Sequence, residues 1–302
     1  AELEQAGRLL GRLVLVPQAN PIGLAQHHLG LHQGRFEAGS GLNFNRDFPL
    51  LLRPEDKPAS VRVARELLQE RLAELPCPNE LASLRRHLFG LALEADLVLD
   101  LHCDSEAALH IYANARQPKE AEALGAFLGA RAVLLAEEAG GMSFDDALMQ
   151  NWSALAQKGD FSVPCFAATV ELRGMLDVDE RQAEEDLERL IDYLTWQGWI
   201  RSEEEVSPPM PLCQATPLAG VEVVHAPQGG LVLYSKSPGS RVEAGEQLGW
   251  ILDPLNGVRT PLHSSVSGCC YARVQGRLAQ AGQELLYVAG EEARRSGTLL
   301  GL

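Results

Sequence analysis

The sequence predicts an α/β domain, with a mainly parallel mixed sheet flanked by helices, followed by a small all-β module. Three observations carry this. Short apolar runs alternate with amphipathic stretches as far as residue 196, the pattern of strands joined by helical crossovers. Residues 202–217 (SEEEVSPPMPLCQATP) are charged and then proline-rich, the texture of a linker. Beyond them, short β runs punctuated by glycine follow one another with no helical period. The expected domains are therefore 1–205 and 206–302. A chain of 302 residues suits two domains at about 150 residues each.

The elements follow in order. The first residues read as the end of a helix closed by Gly11, leading into a buried strand over 12–17 (RLVLVP). Residues 20–49 are rich in Gly, His and Asn and lack a period, which predicts a long irregular loop, of the kind that is functional or disordered. Helices are expected near 59–75, where Val61, Val63, Ala64, Leu67, Leu68 and Leu72 roughly form a stripe, and near 79–94. Strands are expected at 96–101 (DLVLDL), 108–113, 131–135 and 166–172, with helices at 118–130 and 178–196. Asp177 or Asp179 is the expected cap of the last helix.

Composition narrows the function. Lys and Arg number 26 against 41 Asp and Glu, a formal charge of −15. This excludes a nucleic-acid binder, which needs a basic face, and docking on anionic lipid. No apolar run approaches the roughly 20 residues of a membrane span. The six cysteines show no CxxC spacing and no disulfide framework, so a soluble cytoplasmic protein is expected.

Three places carry chemistry. His102 directly follows the strand DLVLDL, at the carboxyl end where open α/β sheets place ligands. It reads as a metal ligand or proton carrier, or as a satisfied histidine at a strand end. Glu171 lies at the end of the apolar run AATVEL, where burial raises a carboxyl toward general-base range. The alternative is a carboxylate paired with Arg173. Asn45 and Arg46, in NFNRDFP, set an amide beside a guanidinium fork suited to a carboxylate. The alternative there is an arginine paired with Asp47 or Glu37.

Their order is more specific than any one of them. Asn20-Pro21-Ile22-Gly23, then Asn45-Arg46, then Asp100-Leu101-His102, then Thr169-Val170-Glu171-Leu172 resembles the succinylglutamate desuccinylase/aspartoacylase family of the zinc-carboxypeptidase superfamily, over roughly residues 10–200. The C-terminal β module resembles that family's second domain. Its segment 229–254 also resembles half of a biotinyl/lipoyl-type barrel, although no Lys stands between Leu252 and Pro261. The resemblance implies a zinc-carboxypeptidase-like fold and one Zn²⁺ per chain with His102 as a ligand. It makes Glu171 the group that activates a zinc-bound water, with Asn45 and Arg46 holding a substrate carboxylate and Arg35 a further substrate-binding arginine near the scissile carbonyl.

The implied activity is hydrolysis of the amide bond of an N-acyl amino acid or similar small acidic substrate. A carboxypeptidase acting on peptide C-termini, or a zinc-free binder of acidic metabolites, are the alternatives. A homo-oligomer is compatible with the sequence. The family's H-x-x-E ligand pair occurs nowhere in the chain. It is expected upstream of Ala1, and the loop residues His27, His28, His32 and Glu37 are the substitute set within the chain.

Overall fold

The computed structural model describes residues 2–300. The chain opens with α1 (Glu2–Gln5), α2 (Pro21–Ala25) and the two-residue strands β1 (His27–His28) and β2 (Leu31–His32). Next come α3 (Val61–Glu74), α4 (Glu80–Leu93), β3 (Leu97–Asp104), β4 (Glu106–Ala107) and β5 (His110–Asn114). They lead to α5 (Pro118–Leu128), β6 (Ala132–Ala136), α6 (Phe144–Gly159), β7 (Phe166–Gly174) and α7 (Glu180–Trp196). After β8 (Ala215–Pro217) a single 3-10 turn, Leu218–Gly220, leads into β9 (Val221–His225), β10 (Gly230–Tyr234), β11 (Ser240–Val242) and β12 (Gln247–Leu252). Last come β13 (Arg259–His263), β14 (Gly268–Arg273), β15 (Leu278–Ala279) and β16 (Glu284–Gly290).

Local chemistry explains the helix limits. The Ser60 and Asn79 side chains accept hydrogen bonds from the N–H groups of Val63 and Ala82, capping α3 and α4. Pro118 opens α5, and Gly129 closes it in the left-handed conformation at φ 71°. Asp179, one of the two expected caps, accepts from the Gln182 N–H and starts α7. Three points differ from the sequence reading. The first helix ends at a turn through Gly7, ahead of Gly11. Residues 12–17 are not a strand: Leu13, Val14, Leu15 and Val16 are exposed at 59, 49, 75 and 41% and join no ladder among the described residues. Apolar, β-branched composition marks strand propensity, but a strand also needs a neighbour to complete its hydrogen bonds. The third is α6, sixteen residues that no expectation covered.

The central sheet has the order β3-β7-β5-β6-β8. It is mainly parallel, β5 with β6 and β6 with β8 running the same way. Parallel neighbours need crossovers, and the helices supply them.

By contacts the chain forms two compact units. One comprises Ala1–Leu13, Leu101–Ala136 and Thr169–Ser296. Here α5 packs on β5, β6 and α7. The all-β region of this unit has two antiparallel sheets, β13-β12-β10-β15 and β11-β14-β16-β9, around a core that includes Val232, Leu248, Ile251, Leu285 and Val288. Strand β4 joins the second sheet by pairing Ala107 with Ala272 and Glu106 with Arg273.

The other unit comprises Val14–Asp100, Glu137–Ala168 and Gly297–Leu302. Its core gathers Leu68 and Leu72 of α3, Phe89 and Leu93 of α4, and Leu148, Trp152 and Leu155 of α6. Burying each such side chain contributes about 1.5–3 kcal/mol.

Candidate active site

His102 and Glu171 come together. They lie on β3 and β7, which are neighbours in the sheet, and His102 Nδ1 stands 3.9 Å from Glu171 Oε1. That is ionic range and longer than a hydrogen bond. The side chains are 30% and 13% exposed, so both are sheltered and the histidine still reaches solvent. Arg173, the alternative partner of Glu171, is engaged elsewhere. Its Nη1 and Nη2 donate to the two carboxylate oxygens of Asp186 on α7 at 2.7 and 2.9 Å. This bidentate fork raises the guanidinium pKa further. Arg173 also sits at φ 75°, a left-handed backbone that a non-glycine residue holds only when its surroundings impose it.

Next to β7 in the sheet, β5 carries His110 and Tyr112. His110 is fully buried. Its Nδ1–H donates to the Ala108 carbonyl at 2.8 Å, and Nε2 lies 4.0 Å from Asp104 Oδ2. Burial lowers its pKa and keeps the ring neutral. The ring packs on Tyr271 at 4.7 Å and edge-on to Tyr112 at 5.3 Å. Burial raises both tyrosines, and the Glu171 carboxylate adds to the effect on each.

The second group of expected residues lies in the unit built around α6. The loop 43–51 is laced to the start of that helix. Asn45 Oδ1 accepts from the Phe144 N–H at 2.8 Å, and the N–H groups of Asp47 and Phe48 donate to the carbonyls of Gly141 and Met142 at 3.0 Å each. Asn151, buried in α6, accepts from the Leu51 N–H through Oδ1 and donates Nδ2–H to the Pro49 carbonyl. Arg46 Nη1 donates to the Asn45 carbonyl at 2.7 Å.

Burial, then the like charge of Arg35, lower the Arg46 pKa, while Asp145, Asp47 and Asp146 raise it. Arg35 and Arg46 are thus close enough to feel one another, as an anion-binding pair requires. Of the alternative partners, Asp47 contributes. Glu37 instead accepts from the N–H groups of Gly39 and Ser40 in its own turn.

Sequence reasoning missed Gly141, Ser143, Asp145 and Asp146. Ser143 Oγ donates to Asp145 Oδ1 at 2.7 Å, and both aspartates are buried in the first turn of α6, where a helix end favours negative charge. The signal was present as Ser143 followed by paired aspartates ahead of an apolar run.

Among the described residues no group of three or more His, Cys, Asp and Glu side chains is arranged to hold a metal ion. In the substitute set, the His27 and His32 rings lie 5.5 Å apart and His32 Nε2 contacts the Gly23 carbonyl at 3.1 Å. A catalytic zinc needs three protein ligands and an open position. The described residues, with His102 alone assigned, do not complete such a site.

His102 and Glu171 thus pair on adjacent strands of a mainly parallel α/β sheet, and Arg46 and Arg35 lie in the other unit. The model of the succinylglutamate desuccinylase/aspartoacylase catalytic domain matches residues 1–195, and the chain belongs to that family. Its members are desuccinylases and aspartoacylases, hydrolases that remove acyl groups.

Among solved structures the chain is similar to a family protein from Shewanella amazonensis, at 27% identity and a TM-score of 0.81 over 95% of this chain and 84% of that one. A family protein from Shewanella frigidimarina shows 25% identity and a TM-score of 0.78, over 90% and 78% of the two chains. The ectoine utilization protein EutE (DoeB) of Ruegeria pomeroyi, at 16% identity and a TM-score of 0.65 over 95% and 79%, shares the fold. No curated protein matches the chain. Among the described residues, no helix is long and apolar enough to cross a membrane.

Proposed function

We propose that the chain hydrolyses the amide bond of an N-acyl amino acid or a similar small substrate bearing a free carboxylate. The observation that supports this best is the His102–Glu171 pair, 3.9 Å apart on neighbouring strands, with Arg173 withdrawn into its fork with Asp186. Glu171 is the general base. It takes a proton from water as the oxygen attacks the acyl carbon, then delivers that proton to the nitrogen as the C–N bond breaks. Arg46, with Arg35 and Asn45, binds the substrate carboxylate. In a chain of charge −15 an acidic substrate needs such a local concentration of positive charge.

His102 is the residue we assign to a Zn²⁺ ion, one per chain. An ion there would polarise the acyl oxygen and acidify a water. The described residues bring no two further ligands to it.

The test is a substrate screen with metal analysis. N-acetyl, N-succinyl and N-formyl amino acids are set against short peptides, and bound zinc is counted by mass spectrometry. Turnover confined to N-acyl amino acids supports the reading. Release of C-terminal residues from peptides makes the protein a carboxypeptidase. Binding of N-acyl amino acids without turnover and without zinc makes it a binder of acidic metabolites.

A further inference from the structure

The loop preceding α6 is unusual in its backbone. Gly140, Gly141 and Met142 are consecutive residues at positive φ (97°, 73° and 51°), a conformation disfavoured for a side-chain-bearing residue such as Met142. The turn is pinned on both sides of Arg46, because Asn45 accepts from Phe144 and Asp47 donates to Gly141. The side chain of Arg46 then lies against Gly141, the second of the turn's two glycines. A Cβ added at Gly141 would stand 2.7 Å from Arg46 Cδ and 3.0 Å from Nε, and the three nearest atoms it would meet all belong to Arg46. The conflict falls in the middle of the arginine arm, so relieving it must move the guanidinium.

We propose that Gly141 is a positioning residue for Arg46: its bare α-carbon seats the arginine arm and thereby sets where the substrate carboxylate is held. This rests on the reading of Arg46 as the carboxylate-binding group. It goes further in assigning the specificity of that group to a turn with no ligand atom of its own. Every residue involved lies in the same unit, and the loop is fixed by main-chain hydrogen bonds as well as by the arginine, so backbone and side chain determine each other.

The experiment compares Gly141→Ala with Gly245→Ala. Gly245 is also at positive φ (85°) but has no atom within 4 Å of an added Cβ, so it reproduces the backbone strain without the collision. Crystal structures of both variants are solved, and kinetics are measured on N-acetyl-L-aspartate and N-succinyl-L-glutamate. In Gly141→Ala the Arg46 guanidinium leaves its place. The KM for the better substrate rises by about tenfold or more while kcat changes by less than about threefold. Gly245→Ala changes neither.

An unmoved Arg46, or a KM equal to that of Gly245→Ala, overturns the proposal. If Gly141→Ala folds too poorly to assay, the thermal stability of Gly141→Ala in an Arg46→Ala background decides it. The glycine substitution costs less there if the collision is with Arg46, and the same if it is not. A wild type that hydrolyses no member of the N-acyl amino acid panel overturns the hydrolase reading, and the Gly141→Ala structure then decides the positioning by itself.

Discussion

His102 and Glu171 face each other from neighbouring strands, Nδ1 to Oε1 at 3.9 Å, while Arg173, two residues beyond the glutamate, is held in a two-point fork by Asp186. The fork keeps the guanidinium with α7, and it does so at a residue whose backbone is strained. Asp186→Asn weakens the fork and releases that strain into the end of β7. Turnover then falls with a smaller loss of thermal stability than a core truncation produces. Comparing Tm and kcat for Asp186→Asn checks this, and unchanged turnover refutes it.

Arg46 is assigned to substrate binding, and a guanidinium fork differs from an ammonium. Arg46→Lys keeps the charge and loses the bidentate geometry, so KM for an N-acyl amino acid rises by roughly tenfold with kcat little changed. Steady-state kinetics at fixed ionic strength provide the measurement. Equal KM values would remove Arg46 from the binding role.

Glu106 ties β4 to β14. It accepts from Arg273 Nε at 2.5 Å and from Arg277 Nη2 at 2.6 Å, and both guanidiniums lie over the Tyr234 ring at 4.9 and 4.7 Å. Glu106→Gln leaves two cations stacked on one ring without their counter-charge. It costs about 1–2 kcal/mol, since the groups are partly exposed and screened. Chemical denaturation gives the value, and added salt shrinks it.

Asp146 tests the electrostatics of the turn before α6. Burial, and then Asp145, raise its pKa, while Gln150 and the Ala139 main chain oppose this. A carboxyl raised in the folded state is penalised once ionised. Stability therefore declines as pH climbs from its unfolded pKa, about 3.9, to its folded one. Asp146→Asn lacks this decline, so its Tm relative to wild type increases over that interval and is flat above it. A Tm difference independent of pH contradicts the assignment.

Much of the scaffold was legible in the sequence, for reasons that also explain the failures. The stripe Ala64, Leu68 and Leu72 foretold a helix because only one of its faces is buried. Helix α6 hides the same signal. It buries Asp145, Asp146, Asn151 and Ser153 beside Leu148 and Trp152, so no polar face stands against an apolar one. The run 12–17 has strand composition without a strand, since pairing is decided by neighbours distant in sequence. Of the candidate site, His102 and Glu171 were legible because each follows an apolar run, although both lie inside β3 and β7 and not at the strand ends where the sequence puts them. The turn through Gly141 could not, because its positive φ values and its fit to Arg46 exist only once residues 43–48 and 139–144 are brought together.

The most direct measurement is turnover by wild type and Glu171→Gln on the panel of N-acyl amino acids, with Tm recorded for both. Glu171 is predicted to carry the proton transfer. The wild type therefore hydrolyses a carboxylate-bearing member of the panel, and the variant loses about 10²–10⁴-fold in kcat at nearly unchanged Tm. Retained turnover in Glu171→Gln, or a wild type inactive on every member, would contradict it.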